Sequence, residues 1–118
     1  MDSIRGARRQ LKLVRRKNQI LGLYVAPLGD DAWTVLLALY VNKNSSVGQF
    51  KSNLKLELLY PASLGRILSV LITQNLVETD NFVPTGGTTY RLTKLAIPKI
   101  DGILELYNER SEPSSELV

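Results

Sequence analysis

Chemistry in this chain falls to arginine, lysine, serine and carboxylates, because it has no cysteine and no histidine. Thiolate nucleophiles, disulfides, the usual zinc ligands and the usual general base near neutral pH are therefore missing. The serines and threonines lack an evident activating base. The adjacent carboxylates Asp30 and Asp31 read as the start of a helix, and Gly86-Gly87 reads as a turn rather than a phosphate-cradling loop. The pattern predicts no catalytic residue, no metal ligand and no cofactor. What is left is recognition by charge and by small polar groups.

The charge is unevenly placed. The net charge of +4 combines a first segment carrying Arg5, Arg8, Arg9, Lys12, Arg15, Arg16 and Lys17 against Asp2 with a net acidic remainder. Such a segment is the footprint of a nucleic acid or an anionic surface, or else a solvated helix face. A second group, Ala62, Ser63, Arg66 and Ser69, is small and polar with a single arginine.

The elements that must position these groups follow from periodicity. Residues from about Ser3 to Val25 predict a helix. Ile4, Ala7, Leu11, Val14, Asn18, Leu21 and Val25 recur at alternating spacings of three and four, an a/d stripe with one polar member, and the cationic residues lie off it. Pro27 and Gly29 end this helix. A second helix opens at Asp30 or Asp31, with a carboxylate suited to the N-cap, and shows an apolar face of Trp33, Leu36, Leu37, Tyr40 and Val41. A short third helix starts at Ser45-Ser46, where Ser46 and Gln49 fit a capping box, with Lys51 and Lys55 facing out.

A fourth helix begins at Tyr60-Pro61, with Leu64, Ile67, Leu68, Leu71 and Ile72 on one side, and Asn75 stops it in the left-handed conformation. Leu76 to Thr79 and Thr88 to Leu92 read as strands around a Pro84–Gly87 turn. Thr93 caps a last helix carrying Ala96, Ile97, Ile100, Ile103, Leu104 and Tyr107. A tiny strand before the fourth helix is a further expectation. The predicted fold class is mainly α with a small β-hairpin wing: a winged helix-turn-helix with long N- and C-terminal dimerisation helices. Its parts are a basic N-terminal arm (1–27), a winged-helix core (28–96), a C-terminal dimerisation helix (97–110) and a disordered tail (111–118).

In a helix-turn-helix the second helix of the pair enters the major groove and presents N-terminal side chains to base edges. That assigns Arg66 to guanine or, alternatively, to phosphate or a neighbouring carboxylate. Ser63 meets a base or phosphate, or caps the first turn; Ala62 and Ser69 share the face. Tyr60 reaches phosphate or packs. Ser45, Ser46 and Gln49, with free N–H groups at a helix start, and Lys51 and Lys55 are candidate backbone contacts.

Asp30 to Ile103 resembles the winged-helix core of the MarR-type transcriptional regulators. The resemblance rests on GDDAWTVLLALY, SVGQFKSNLKL, SLGRILSVLITQNLVE and YRLTKLA. Asn75-Leu76-Val77 stands where that family has Gly-Leu-Val or Gly-Leu-Ile, and Ala96 stands where glycine is common. The resemblance implies a homodimer, a recognition helix at about Pro61 to Gln74 and repression of a promoter, in the cytoplasm of a bacterium or archaeon and associated with its nucleoid. A small-molecule inducer is conceivable on this resemblance, though no polar cluster marks a pocket for one.

The family's wing usually carries Asp-x-Arg-x-x-Arg, whereas Asp80-Asn81-Phe82-Val83-Pro84 has no arginine. Arg91 and Lys94 are left to reach phosphate, and the arm, through Arg8, Arg9, Arg15 and Arg16, becomes the expected source of affinity for double-stranded DNA. The expected dimer interface comprises Ile4, Leu11, Val14, Asn18 and Leu21 with Ile100, Ile103, Leu104 and Tyr107. The competing readings are a winged helix used for protein contact, and membrane-surface binding by an arm that lacks Trp or Phe.

Overall fold

The computed structural model describes residues 2–82 and 86–110. The order is α1 (Asp2–Leu21), a 3-10 turn (Ala26–Leu28), α2 (Asp30–Val41), α3 (Lys51–Lys55), a second 3-10 turn (Pro61–Ser63), α4 (Leu64–Thr73), β1 (Val77–Phe82), β2 (Gly87–Leu92) and α5 (Ala96–Arg110). The strands form an antiparallel hairpin in which Val77 pairs with Leu92 and Phe82 with Gly87. Three helices followed by a hairpin, with α3 and α4 packed as a pair, make this a winged helix-turn-helix flanked by N- and C-terminal helices. The expected tail at 111–118 and the middle of the expected wing turn lie outside the described residues.

One core holds the module together. Val35, Leu36 and Leu39 of α2, Leu54 of α3, Leu64, Ile67 and Leu71 of α4, Val77 of β1 and Ile100 of α5 are essentially inaccessible. Burying such side chains stabilises the fold by about 1.5–3 kcal/mol each. On α2 the buried face is Ala32, Val35, Leu36 and Leu39. Trp33, Leu37 and Tyr40 are half-buried and Val41 is exposed, so the apolar face lies one residue from where its sequence places it.

Several joints differ from the sequence expectation. The first helix ends at Leu21, because Gly22 turns into the left-handed region at φ 92°, where Cβ-bearing residues are strained. Val25 therefore leaves the heptad stripe and is buried in the core. α2 is preceded by Gly29, and neither aspartate caps it. The third helix does not begin at Ser45-Ser46. Those residues form a bend, and α3 starts only at Lys51, with Phe50 N–H donating to Asn53 Oδ1 at 3.3 Å.

Gln49 makes a one-residue strand instead of closing a capping box. Its N–H and C=O both bond Tyr90 at 2.8 Å, and the extra strand thus precedes the third helix rather than the fourth. Gly48 permits this approach, since a Cβ there would stand 2.6 Å from the Tyr90 carbonyl oxygen. Asn75 takes φ 63° and ends α4 as expected. Thr93 ties this corner to the last helix: its hydroxyl donates to the Asn75 carbonyl at 2.7 Å and accepts from Ala96 N–H at 3.1 Å.

α1 divides into two parts. Residues 2–12 are exposed on every side, whereas Leu13 is buried and Lys17, Ile20 and Leu21 are half-buried. The docked part rests on α5 and on the Ala26–Leu28 turn, with Lys17 Nζ 5.3 Å from the Trp33 ring centroid. The radius of gyration, 16.3 Å, exceeds the roughly 13.5 Å of a compact domain of this length, as a projecting arm requires.

Candidate nucleic-acid interface

α4 presents its outer face because its inner face is fully committed. Leu64, Ile67, Leu68 and Leu71 sit at helical spacing and are buried, which leaves Gly65, Arg66, Ser69 and Thr73 outward; Ile72, expected on the inner stripe, lies at its edge and is 40% exposed. Ahead of them Tyr60, Pro61 and Ala62 are exposed, and Ser63 is half-buried in the 3-10 turn that leads into the helix. The outer surface is thus mostly small, with Arg66 as its one charged side chain and Tyr60 and Ile72 as its large exposed apolar ones. No hydrogen bond or ion pair holds the Arg66 guanidinium among the described residues, so its five donors are available to an acceptor.

Two further details shape this face, of which Gly65 was not expected from the sequence. Gly65 lies on it with no atom within 4 Å of where a Cβ would be, which lowers the surface beside Arg66. Thr73 donates its hydroxyl to the Ser69 carbonyl at 2.9 Å, so its oxygen is oriented along the helix. Both were legible as positions i−1 and i+7 of Arg66 on an amphipathic helix.

The second-line candidates are scattered more widely. Ser45 and Ser46 are exposed, but they do not begin a helix; their carbonyls accept from Arg91, at 3.5 Å from Nη1 and 3.0 Å from Nη2. The free N–H groups expected there do not exist as a helix terminus, and Arg91 serves as a staple between β2 and this bend. Gln49 has its backbone spent on Tyr90. Lys51 and Lys55 are exposed on α3, and Lys94 is exposed in the turn before α5. Arg8, Arg9, Arg15 and Arg16 are exposed on α1, which rests on other elements than α4 does; Arg16 Nη1 lies 3.5 Å from Gln19 Oε1.

The flanking helices sort the expected interface residues into two groups. Ile4 and Leu11 are 69% and 60% exposed, and Val14 and Asn18 are exposed as well. Ile100 and Ile103 are instead sealed inside the chain's own core, since α5 must bury a face against α1 and α2 within the same chain. Leu21, Leu104 and Tyr107 are half-buried, Leu21 and Leu104 against that core. α5 is further pinned by Tyr40, whose hydroxyl donates to Asp101 Oδ1. That bond, then burial and the nearby carboxylate charge, raise the Tyr40 hydroxyl above its ordinary pKa.

Among solved structures, the chain is similar to a single-substitution mutant of ZitR from Lactococcus lactis. The TM-score is 0.51 at 18% identity, over 71% of this chain and 57% of that one. At that identity the likeness bears on the fold, which it supports. The chain thus spans little more than half of the ZitR chain. No protein-family model matches the sequence, and no curated protein does. No helix among the described residues is long and apolar enough to cross a membrane, and no cluster of three potential metal ligands occurs among them.

Proposed function

We propose that this chain is a sequence-specific DNA-binding transcriptional regulator of the MarR type, acting as a homodimer and most simply as a repressor. One observation carries the reading: α4 pairs a buried inner stripe with an outer face of glycine, serine and threonine, edged by the exposed Ile72, around an arginine with no partner among the described residues. A helix that packs against base edges needs small side chains for close approach and a bidentate donor for guanine. The similarity to ZitR supports the fold on which this assignment depends.

The dimer is supported by α1. Its first eleven described residues are all exposed, and an isolated helix so short, with Gly6 inside it, is marginal in water. At 100° per residue, Ile4, Ala7, Leu11, Val14 and Asn18 gather roughly 140° from Leu13, and the arginines gather on the remaining third. α1 therefore has one face for its own chain, one apolar face for a second copy and one cationic face for phosphate.

The test is fluorescence anisotropy of labelled duplex DNA at two salt concentrations, with Arg66→Ala beside the wild type. Loss of a bidentate base contact is expected to cost about 1–3 kcal/mol on the preferred sequence and little on random DNA. A wild type that binds no duplex at low salt overturns the reading. It would favour the alternative, a winged helix for protein contact, to which the arginine-free Asp80–Phe82 strand end and the net acidic body already point.

A further inference from the structure

Asp31 stands in the first turn of α2, where a carboxylate ordinarily caps its own helix, yet it does something else. It is more than nine-tenths buried, and both oxygens are spent on another part of the chain. Oδ1 accepts from Leu59 N–H at 3.0 Å and Oδ2 from Tyr60 N–H at 2.9 Å. Those two amides immediately precede the Pro61–Ser63 turn and α4.

Besides this clamp, the stretch is held among the described residues mainly by its own turn, in which Ser63 N–H donates to the Tyr60 carbonyl at 2.9 Å. Leu58 and Leu64 are buried, but between them Leu59 and Tyr60 are 77% and 70% exposed, and Pro61 and Ala62 are exposed too. No side chain caps the turn. An open cleft of about 300 Å³, bordered by Asp31, Tyr60, Ser63 and Arg66, separates the start of α2 from the start of the recognition segment, so packing does not fill the joint. A bidentate, charge-assisted clamp across it fixes where the segment begins and hence where Ser63 and Arg66 point.

We infer that Asp31 is a positioning residue for DNA recognition: it locks the leading end of α4 to α2 and so sets the register of Arg66 against the bases. The inference rests on the DNA reading above. It separates two quantities that a purely structural role would move together. Loss of folded protein lowers binding to all DNA alike, whereas loss of register lowers only discrimination.

The experiment uses the full chain and a preferred duplex selected from randomised DNA with the wild type. Asp31→Asn keeps the size but turns an amide donor toward one of the two N–H groups, and Asp31→Ala removes both acceptors. Each is expected to reduce the ratio of specific to random-duplex affinity by roughly tenfold, about the effect of one mismatched base pair, with random-duplex binding unchanged. Amide hydrogen exchange of the wild type without DNA is the second measurement: Leu59 and Tyr60 are expected to be protected despite their exposed side chains. An unaltered ratio in folded variants, or unprotected amides in the wild type, overturns the proposal. A wild type that binds no duplex while showing protected amides overturns the DNA reading and the positioning role with it, leaving the clamp as structure alone.

Discussion

Leu11→Ala isolates the dimer argument, because Leu11 lies outside the buried core of its own chain. It projects from the free half of α1 at 60% exposure. Fully burying a leucine is worth about 1.5–3 kcal/mol, so sealing the remaining surface under a second copy yields about 1–2 kcal/mol. In a twofold interface the residue occurs twice, and the substitution should weaken the dimer by about 2–4 kcal/mol, or roughly 30- to 700-fold in its dissociation constant. Sedimentation velocity over a concentration series measures this directly. The unfolding midpoint of the dilute monomer should move little, as for a surface substitution away from any packing. A dimer constant unchanged by Leu11→Ala, or a wild type that is monomeric at all accessible concentrations, refutes the reasoning.

Three further outcomes follow from other parts of the molecule. Replacing Arg5, Arg8, Arg9, Arg15 and Arg16 by Gln, which spares the apolar stripe, should flatten the salt dependence of DNA binding by about 0.9 per lost phosphate contact; an unchanged slope removes the arm from the interface. Tyr40 should titrate above the ordinary tyrosine value in an ultraviolet titration, and Tyr40→Phe should abolish that late step. Because folding raises the Tyr40 pKa, its contribution is complete below the ordinary tyrosine value and is lost as pH rises through the folded one; unfolding free energy should therefore fall at alkaline pH more steeply in the wild type than in Tyr40→Phe. Gly48→Ala should break the Gln49–Tyr90 pairing, with a loss of about 1–3 kcal/mol measurable by denaturant unfolding.

The parts of the fold visible in the sequence are those set by local physics. The α4 stripe repeats at helical spacing, Asn75 is one of the few residues at ease in the left-handed region, and the two strand segments flank an obvious turn. The parts that were hidden depend on distant partners. A one-residue strand at Gln49 has no periodicity to detect. Leu13 and Ile20 form a second apolar face of α1 that a single heptad stripe obscures, and Ile100 and Ile103 could serve a core or an interface until the position of α1 is known. Asp31 is the sharpest case. A carboxylate at a helix start has a sufficient local explanation, and the backbone N–H groups it actually serves, twenty-eight and twenty-nine residues away, leave no mark in the sequence.

These placements divide the work between elements on the proposed reading. The α4 face carries a single cation, and the end of β1 that leads to the wing tip carries none, while Arg91 is partly spent on the Ser45 and Ser46 carbonyls. Phosphate contact is the main source of affinity for DNA and scales with the number of cations engaged, so one such module has little grip. Two routes can raise it without altering the base-reading face: doubling the module, which adds a second half-site, and engaging the cationic third of α1. Both routes run through the same exposed half-helix. The apolar and cationic thirds of α1 are therefore coupled: a substitution that frees the arm from its partner copy should also remove the arginines from a fixed position. Leu11→Ala should then flatten the salt dependence of DNA binding even though it changes no charge.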